Sequence, residues 1–309
     1  MAPKRQRTQV SSSTTDSSSA SAVRLRFSTP DVEAKYTRLL SKPIVKERGF
    51  LPSGKDGKLL EMILEMGWVP FCEAPTAVPM SVVCEFNVNA KAKKNGFTVV
   101  RGMTVEYSVD TIRRVIEQPA RKPGQDTWND KTSEDFDLVL IVATLCVPET
   151  HWKFKRGTTD YSTFPVSSMN KFARAWNAFI ISNIMPSSHM YDVTVECTRL
   201  LWGILQGDYV DLGMVIYQGI LRFLRVSTTG SIPYASVVAK LCVIVGVHWP
   251  THKQLQILSA PIDRTTLATM QEWDGGKPDL KGLGYSFDHL PGERPAVGAA
   301  QSSKTAWRS

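Results

Sequence analysis

Apolar residues recur three and four positions apart through most of the chain between residues 30 and 274, which is the spacing of amphipathic helices. Ser28, Thr29 and Pro30 open the first: a hydroxyl cap, then proline at the first helical position, with Pro43 as the stop. Leu59, Met62, Ile63 and Met66 share one face of a helix over 58–66, and Pro79 starts another that turns Val82, Val83 and Phe86 inward. Residues 97–107 break the pattern. FTVVRGMTVEY carries β-branched runs on either side of Gly102, which predicts a short hairpin. Ser108 caps a helix through Ile112, Val115 and Ile116 that Pro119 ends. Thr132 and Asp135 form a capping-box start for a helix over 136–146. Pro165 is read as the start of a helix carrying Met169, Phe172, Trp176, Phe179 and Ile180, and residues 193–205, 210–224, 233–245 and 265–273 complete the set. The expected fold is mainly α: a single multi-helix domain with one short β-hairpin, flanked by disordered tails.

The tails follow from composition. Residues 1–29 are rich in Ser and Thr with a single aromatic, so they bury too little to repay the entropy of ordering. Residues 275–309 are interrupted by Gly, Pro and Ser. The folded domain is therefore expected over 30–274. A hydrophobic content of 42% fills a core of that size. The formal charge of +8 is unevenly placed: the first 30 residues carry five Lys/Arg against one Asp, and residues 275–309 five against three. The central region is close to balanced, so net charge alone says little about it. Five scattered cysteines and a polar N-terminus imply free thiols in a reducing, intracellular setting. The longest apolar runs are far short of the roughly 20 residues that span a bilayer, so no membrane partner is expected. The basic run Pro3 to Arg7 has the look of a short nuclear-import signal and favours nucleus over cytoplasm.

Candidate chemistry is sparse. Gly49 to Asp56 nearly fits the phosphate-binding pattern GxxxxGK[ST], but Asp56 stands where a hydroxyl should meet magnesium and Pro52 removes an N–H donor. An ordinary turn is the better account. His248 and His252 are four apart with Pro250 between them, which spoils a helical metal pair. No CxxC and no GxSxG occurs, and the adjacent Ser187, Ser188 and His189 read as a helix elbow rather than a catalytic arrangement. No cofactor, metal or small-molecule substrate is expected, and no enzymatic activity.

Nucleic-acid contact is the remaining chemistry. Residues 91–122 hold Lys91, Lys93, Lys94, Arg101, Arg113, Arg114, Arg121 and Lys122 against three acids. His151, Trp152, Lys153, Phe154, Lys155 and Arg156 interleave cations with aromatics, the combination that joins phosphate contact to base stacking. The candidate interface is therefore Lys91, Lys93, Lys94, Arg101, Arg113, Arg114, Arg121, Lys122, Trp152, Lys153, Lys155 and Arg156. The competing account has Trp152 and Phe154 packed inward beneath a solvated basic edge.

The segments FARAWNAFI, IMPSSH, DVTVE, LLWGIL and YVDLG occur in order within residues 172–213. Together with KPIVKERGFLPS, GWVPFCEAPTAVPMSVVCEF, NGFTVVRGMTVEYS, EDFDLVLIVATLC and STTGSIPYASVVAKLC, they resemble the plant transposon protein domain family of retrotransposon-derived open reading frames. The resemblance spans roughly residues 35–285. It implies a plant retroelement origin and a Gag-like structural role with self-association and weak binding of RNA or DNA, and it brings no catalytic residue. Two other roles compete: a transposase- or integrase-type enzyme remnant, and a host-adopted nuclear interaction module. The enzyme would need three carboxylates converging on metal. Asp137, Asp208 and Asp211 are the nominees, each at a helix start where an acid is favoured anyway. Neither the Asp-Thr/Ser-Gly of an aspartic protease nor the YxDD of a reverse transcriptase is present.

Overall fold

The computed structural model describes residues 26–50, 57–73, 77–92, 96–187, 191–226, 230–249, 255–256, 261–262 and 266. Helix α1 (Pro30–Leu40) begins as its sequence dictates: Thr29 Oγ1 accepts the Val32 N–H at 3.3 Å, Pro30 takes the first turn, and Asp31 and Glu33 meet the positive helix end. Helix α2 (Lys58–Met66) buries Leu59, Met62 and Ile63 and ends on Gly67 in the left-handed region. After the short α3 (Val69–Cys72) and strand β1 (Val78–Pro79) comes α4 (Met80–Ala92). Val82, Val83, Cys84, Glu85 and Phe86 on α4 are fully buried, which marks it as the central helix.

Strands β2 (Phe97–Val100) and β3 (Met103–Glu106) pair antiparallel around Arg101 and Gly102, both at positive φ. That is the turn whose twist suits a two-residue hairpin. Helix α5 (Val109–Val115) starts at Ser108, whose hydroxyl accepts the Thr111 N–H. The predicted capping box of Thr132 and Asp135 exists, but it closes a 3-10 turn, Ser133–Asp135. Helix α6 (Leu138–Leu145) begins three residues later under its own cap, Asp137, which accepts from Val139 and Leu140. Strands β4 (Lys153–Phe154) and β5 (Tyr161–Pro165) precede α7 (Lys171–Phe179), which runs on as one π-helical turn, Ile180–Ile184. Strand β6 (Asp192–Thr194), α8 (Val195–Leu205), α9 (Leu212–Val226), α10 (Ala235–Ile244) and β7 (Leu255–Gln256) complete the order.

The mainly helical expectation holds only coarsely, because one hairpin is too few. Beside β2–β3 there is a three-stranded antiparallel sheet in the order β4-β5-β6, and β1 pairs with β7. Residues 161–165, read as a helix start at Pro165, form β5 instead. Proline is tolerated there at the strand's last residue, and its helix opens only after a 3-10 turn, at Asn170. The expected helix at 265–273 lies outside the described residues apart from Thr266, as do both predicted tails except for residues 26–29.

A single large cluster of buried apolar side chains joins these elements. Its aromatic centre comes from distant segments: Phe50 stacks on Phe179 at 4.8 Å, and Trp176 meets Phe50 and Trp68 edge-on at 5.2 and 6.4 Å. Each such pair contributes about 0.5–1.5 kcal/mol beyond its buried area. Gly203, Gly213 and Gly219, among the described residues, admit close neighbours. A Cβ at Gly203 would run into the Trp128 indole, and one at Gly219 would run into the Tyr234 hydroxyl. All five cysteines are buried and free; burial pushes the thiols of Cys84 and Cys146 up to about 12, and burial with the nearby Glu85 charge does the same to Cys242.

Candidate nucleic-acid interface

The β4–β5 ribbon is built by a change of register. Lys153 pairs with Thr163 while Phe154 pairs with Tyr161, so Ser162 is an extra residue on β5. Alternation along β4 sends Phe154 to the same face as Trp152. The bulge shifts the alternation of β5, not of β4, so Phe154 joins Trp152, Tyr161 and Phe164 on one face while Lys153 lies on the other, towards Asp192. Trp152 is buried, donates its indole N–H to Leu138 O at 3.0 Å and packs edge-on against Phe164. Phe154 is 57% exposed and stacks on Tyr161 at 5.5 Å with ring planes 27° apart. Tyr161 in turn packs on Trp152, so a row of three rings leads from core to surface.

Cations border the exposed pair. Lys153 reaches across the sheet to Asp192 on β6 at 2.8 Å, and Lys155 lies 3.7 Å from Asp160. Both pairs are more than 40% exposed on each side, where an ion pair is worth about 0–1 kcal/mol and exchanges readily with another anion. Arg156 is exposed in the turn that Gly157 completes at φ 76.

The other predicted cations are arranged differently. Arg101 is spent on the fold: its backbone N–H and guanidinium both bind the buried carboxylate of Glu85, which Arg26 also binds at 2.5 Å. Arg113 clamps Asp211 with two N–H groups and reaches Asp110. These contacts push the Arg113 pKa up. Burial works to raise Asp211, but the Arg113 hydrogen bonds and the Met214 N–H outweigh it and hold the carboxyl below its ordinary 3.8. Arg114 donates to Thr111, Lys122 donates to Glu65 O, and Arg121 is exposed. Lys91 lies in the last turn of α4, while Lys93 and Lys94 fall outside the described residues. The structure therefore gathers Lys153, Lys155 and Arg156 at one place and disperses the 91–122 set. Tyr161 was missed; the alternation of Tyr161, Thr163 and Pro165 was the only signal for it.

The carboxylates nominated for metal chemistry each have a structural partner. Asp137 caps α6, Asp208 binds Lys131 at 2.5 Å, and Asp211 binds Arg113. Among the described residues no group of three or more His, Cys, Asp or Glu side chains could hold a metal ion. Nor is any described helix long and apolar enough to cross a membrane. The near-fit to the phosphate loop, His252, and Ser188–His189 lie outside the described residues wholly or in part.

Next to the ribbon is a cleft of about 520 Å³ between α8, α9, the π-helical turn and residues 230–234. Val45, Ile181, Met185, Val215 and Phe223 supply apolar lining, while Asp192, Glu196 and Arg222 supply charge. Much of this lining belongs to residues 172–213, the block that carries the sequence resemblance. Tyr234, held at φ 56, donates its hydroxyl to Ile184 O at 3.1 Å and so closes the end of the π-helical turn.

Residues 64–248, more than half of the chain, match the family described as "Putative plant retrotransposon-related domain". No curated protein and no solved structure matches the chain.

Proposed function

The chain belongs to this plant retrotransposon-related family, and from that premise we propose that it is a Gag-like, non-enzymatic structural protein that binds single-stranded nucleic acid weakly through the β4–β5 ribbon. The observation carrying this reading is the Phe154–Tyr161 stack at the exposed end of the ring row, with Lys155 and Arg156 following Phe154 in the chain and Lys153 on the ribbon's other face. A stacked aromatic surface accepts any base face, and alanine substitution at such platforms costs about 1–3 kcal/mol per base. Exposed lysines and an arginine add phosphate contacts without reading sequence. Asp160 and Asp192 offset part of that charge, which keeps the affinity low. The structural engagement of Asp137, Asp208 and Asp211 supports the non-enzymatic half of the reading.

Fluorescence anisotropy with a labelled single-stranded oligoribonucleotide, repeated with its DNA counterpart over a salt series, tests it. Lys153→Ala, Lys155→Ala and Arg156→Ala combined should weaken binding and flatten the slope of log K against log salt by about 2, at roughly 0.7 per phosphate contact. Phe154→Ala should weaken binding at every salt concentration while leaving the slope unchanged. Unaltered affinity in both variants would overturn the proposal.

A further inference from the structure

The cleft beside the ribbon has no part in the nucleic-acid reading, and its chemistry is opposite to the ribbon's. Its floor is apolar, and its charged lining is two carboxylates, Asp192 and Glu196, against one guanidinium, Arg222. The Arg222–Glu196 contact joins α9 to α8 beside the opening at 3.2 Å, with both side chains more than half exposed. Such a pair is worth at most about 1 kcal/mol, so an incoming cation can take over Glu196 at small cost. A volume near 520 Å³ falls within the roughly 300–1,000 Å³ of pockets that enclose a ligand. The chemistry that fits is one apolar or aromatic group flanked by cations.

The ribbon carries that group: Phe154, 57% exposed, with Lys155 and Arg156 following it. In its own chain Phe154 stacks on Tyr161 and takes no part in lining the cleft, whose edge the ribbon meets through Lys153 and Asp192. We infer that the cleft receives the ribbon of a second copy of this chain, with Phe154 against Ile181, Val215 and Phe223, and with Lys155 or Arg156 on Glu196.

Because ribbon and cleft are neighbours on one surface, the exchange is reciprocal. Each copy offers its ribbon while receiving its partner's, which closes a two-fold dimer rather than an open filament. Two reciprocal contacts bury more than one inserted ribbon would, in the direction of the roughly 800 Å² per partner of a standard interface. The dimer buries the side chains proposed to hold nucleic acid, so the two states exclude each other. This inference goes beyond the nucleic-acid reading and does not require it.

Light scattering on the full chain over a dilution series, without nucleic acid, should show a monomer–dimer equilibrium. Glu196→Lys should weaken it at least tenfold, and so should Lys155→Glu. Lys155→Glu and Glu196→Lys together should restore it. Both positions are exposed, and thermal melts identify any variant that fails to fold; Phe154→Ala gives an independent route to the monomer. Glu196→Lys leaves the ribbon intact, so its RNA binding should be retained or improved, which separates failure of this inference from failure of the nucleic-acid reading. A monomer at every concentration, or a dimer indifferent to the single charge reversals, would overturn it.

Discussion

Two groups of cations on this chain carry the same charge and meet opposite fates. Arg101, in the β2–β3 turn against the helical body, and Arg113, on α5, are bound to carboxylates that are themselves buried: Glu85 is fully inside and Asp211 nearly so. Lys153 and Lys155, on the ribbon, meet carboxylates that are at least two-fifths exposed. In the body the charge serves the fold, because a buried carboxylate without its cation is costly. On the ribbon the same charge is loosely held and can be lent to a partner. Counting Lys and Arg along a sequence does not separate these cases; the burial of the acid opposite each one does.

The comparison breaks most visibly at Glu85. It joins Arg26, the hairpin turn and α4, so Glu85→Ala removes the shared acceptor of two guanidiniums and of the Arg101 N–H. The expected loss is about 3 kcal/mol, the low end for a broken buried pair, since Arg26 and Arg101 both retain access to water. Chemical denaturation would measure it, and a loss under about 1 kcal/mol would mean that the network contributes little. Next is Gly219→Ala. The new methyl group must displace Tyr234, which is fixed by its bond to Ile184 O, and overpacking of this kind costs about 1–3 kcal/mol. Tyr234→Phe in the same chain should relieve part of that cost by removing the clashing hydroxyl.

Helix starts were legible because they depend on neighbours in sequence. Thr29 with Pro30, and Ser108, announce themselves through caps that need only three residues. The hairpin was legible for the same reason, since Gly102 supplies one of two positive-φ positions. The β4-β5-β6 sheet was not. Its strands are two, five and three residues long, too short for a period, and Thr163 meets Thr194 across 31 positions. The ribbon was half legible: the alternation of cation and aromatic was visible, but the β5 bulge that sets Tyr161 against Phe154 was not. The cleft was invisible, because Glu196 and Arg222 are joined only by the crossing of α8 and α9.

Acid chemistry separates two buried carboxylates by sign. Asp211 is held below its ordinary 3.8, so its contribution is present above that value and lost as pH falls through its folded pKa. Glu47 is the reverse. Burial raises it above 4.5 despite hydrogen bonds from Ser236 at the start of α10, so the stability tied to its protonated form is complete below 4.5 and lost as pH rises through the folded value. Glu47→Gln keeps an acceptor for Ser236 and removes the charge. It should stabilise the protein more at pH 7 than at pH 4.5, and Asp211→Asn should destabilise more at pH 7 than at pH 3. Melting temperatures across that range check both, and a pH-independent shift would dismiss the assignment.

The smallest stability effect is the most telling. Lys153→Ala, Lys155→Ala and Arg156→Ala combined remove two exposed ion pairs and one exposed guanidinium. Each exposed pair contributes under about 1 kcal/mol, often nothing measurable, so the melting temperature should hardly move. Arg101→Ala in the body removes a single cation and should cost more than all three, because it uncovers Glu85. Melting temperatures read beside nucleic-acid affinity give a two-way test. If the contrast is right, the triple variant is folded and weakly binding, while Arg101→Ala is destabilised and binds through an unaltered ribbon. If instead Arg101→Ala lowers affinity without touching stability, the interface extends onto the hairpin, and the division between structural and available charge has been drawn in the wrong place.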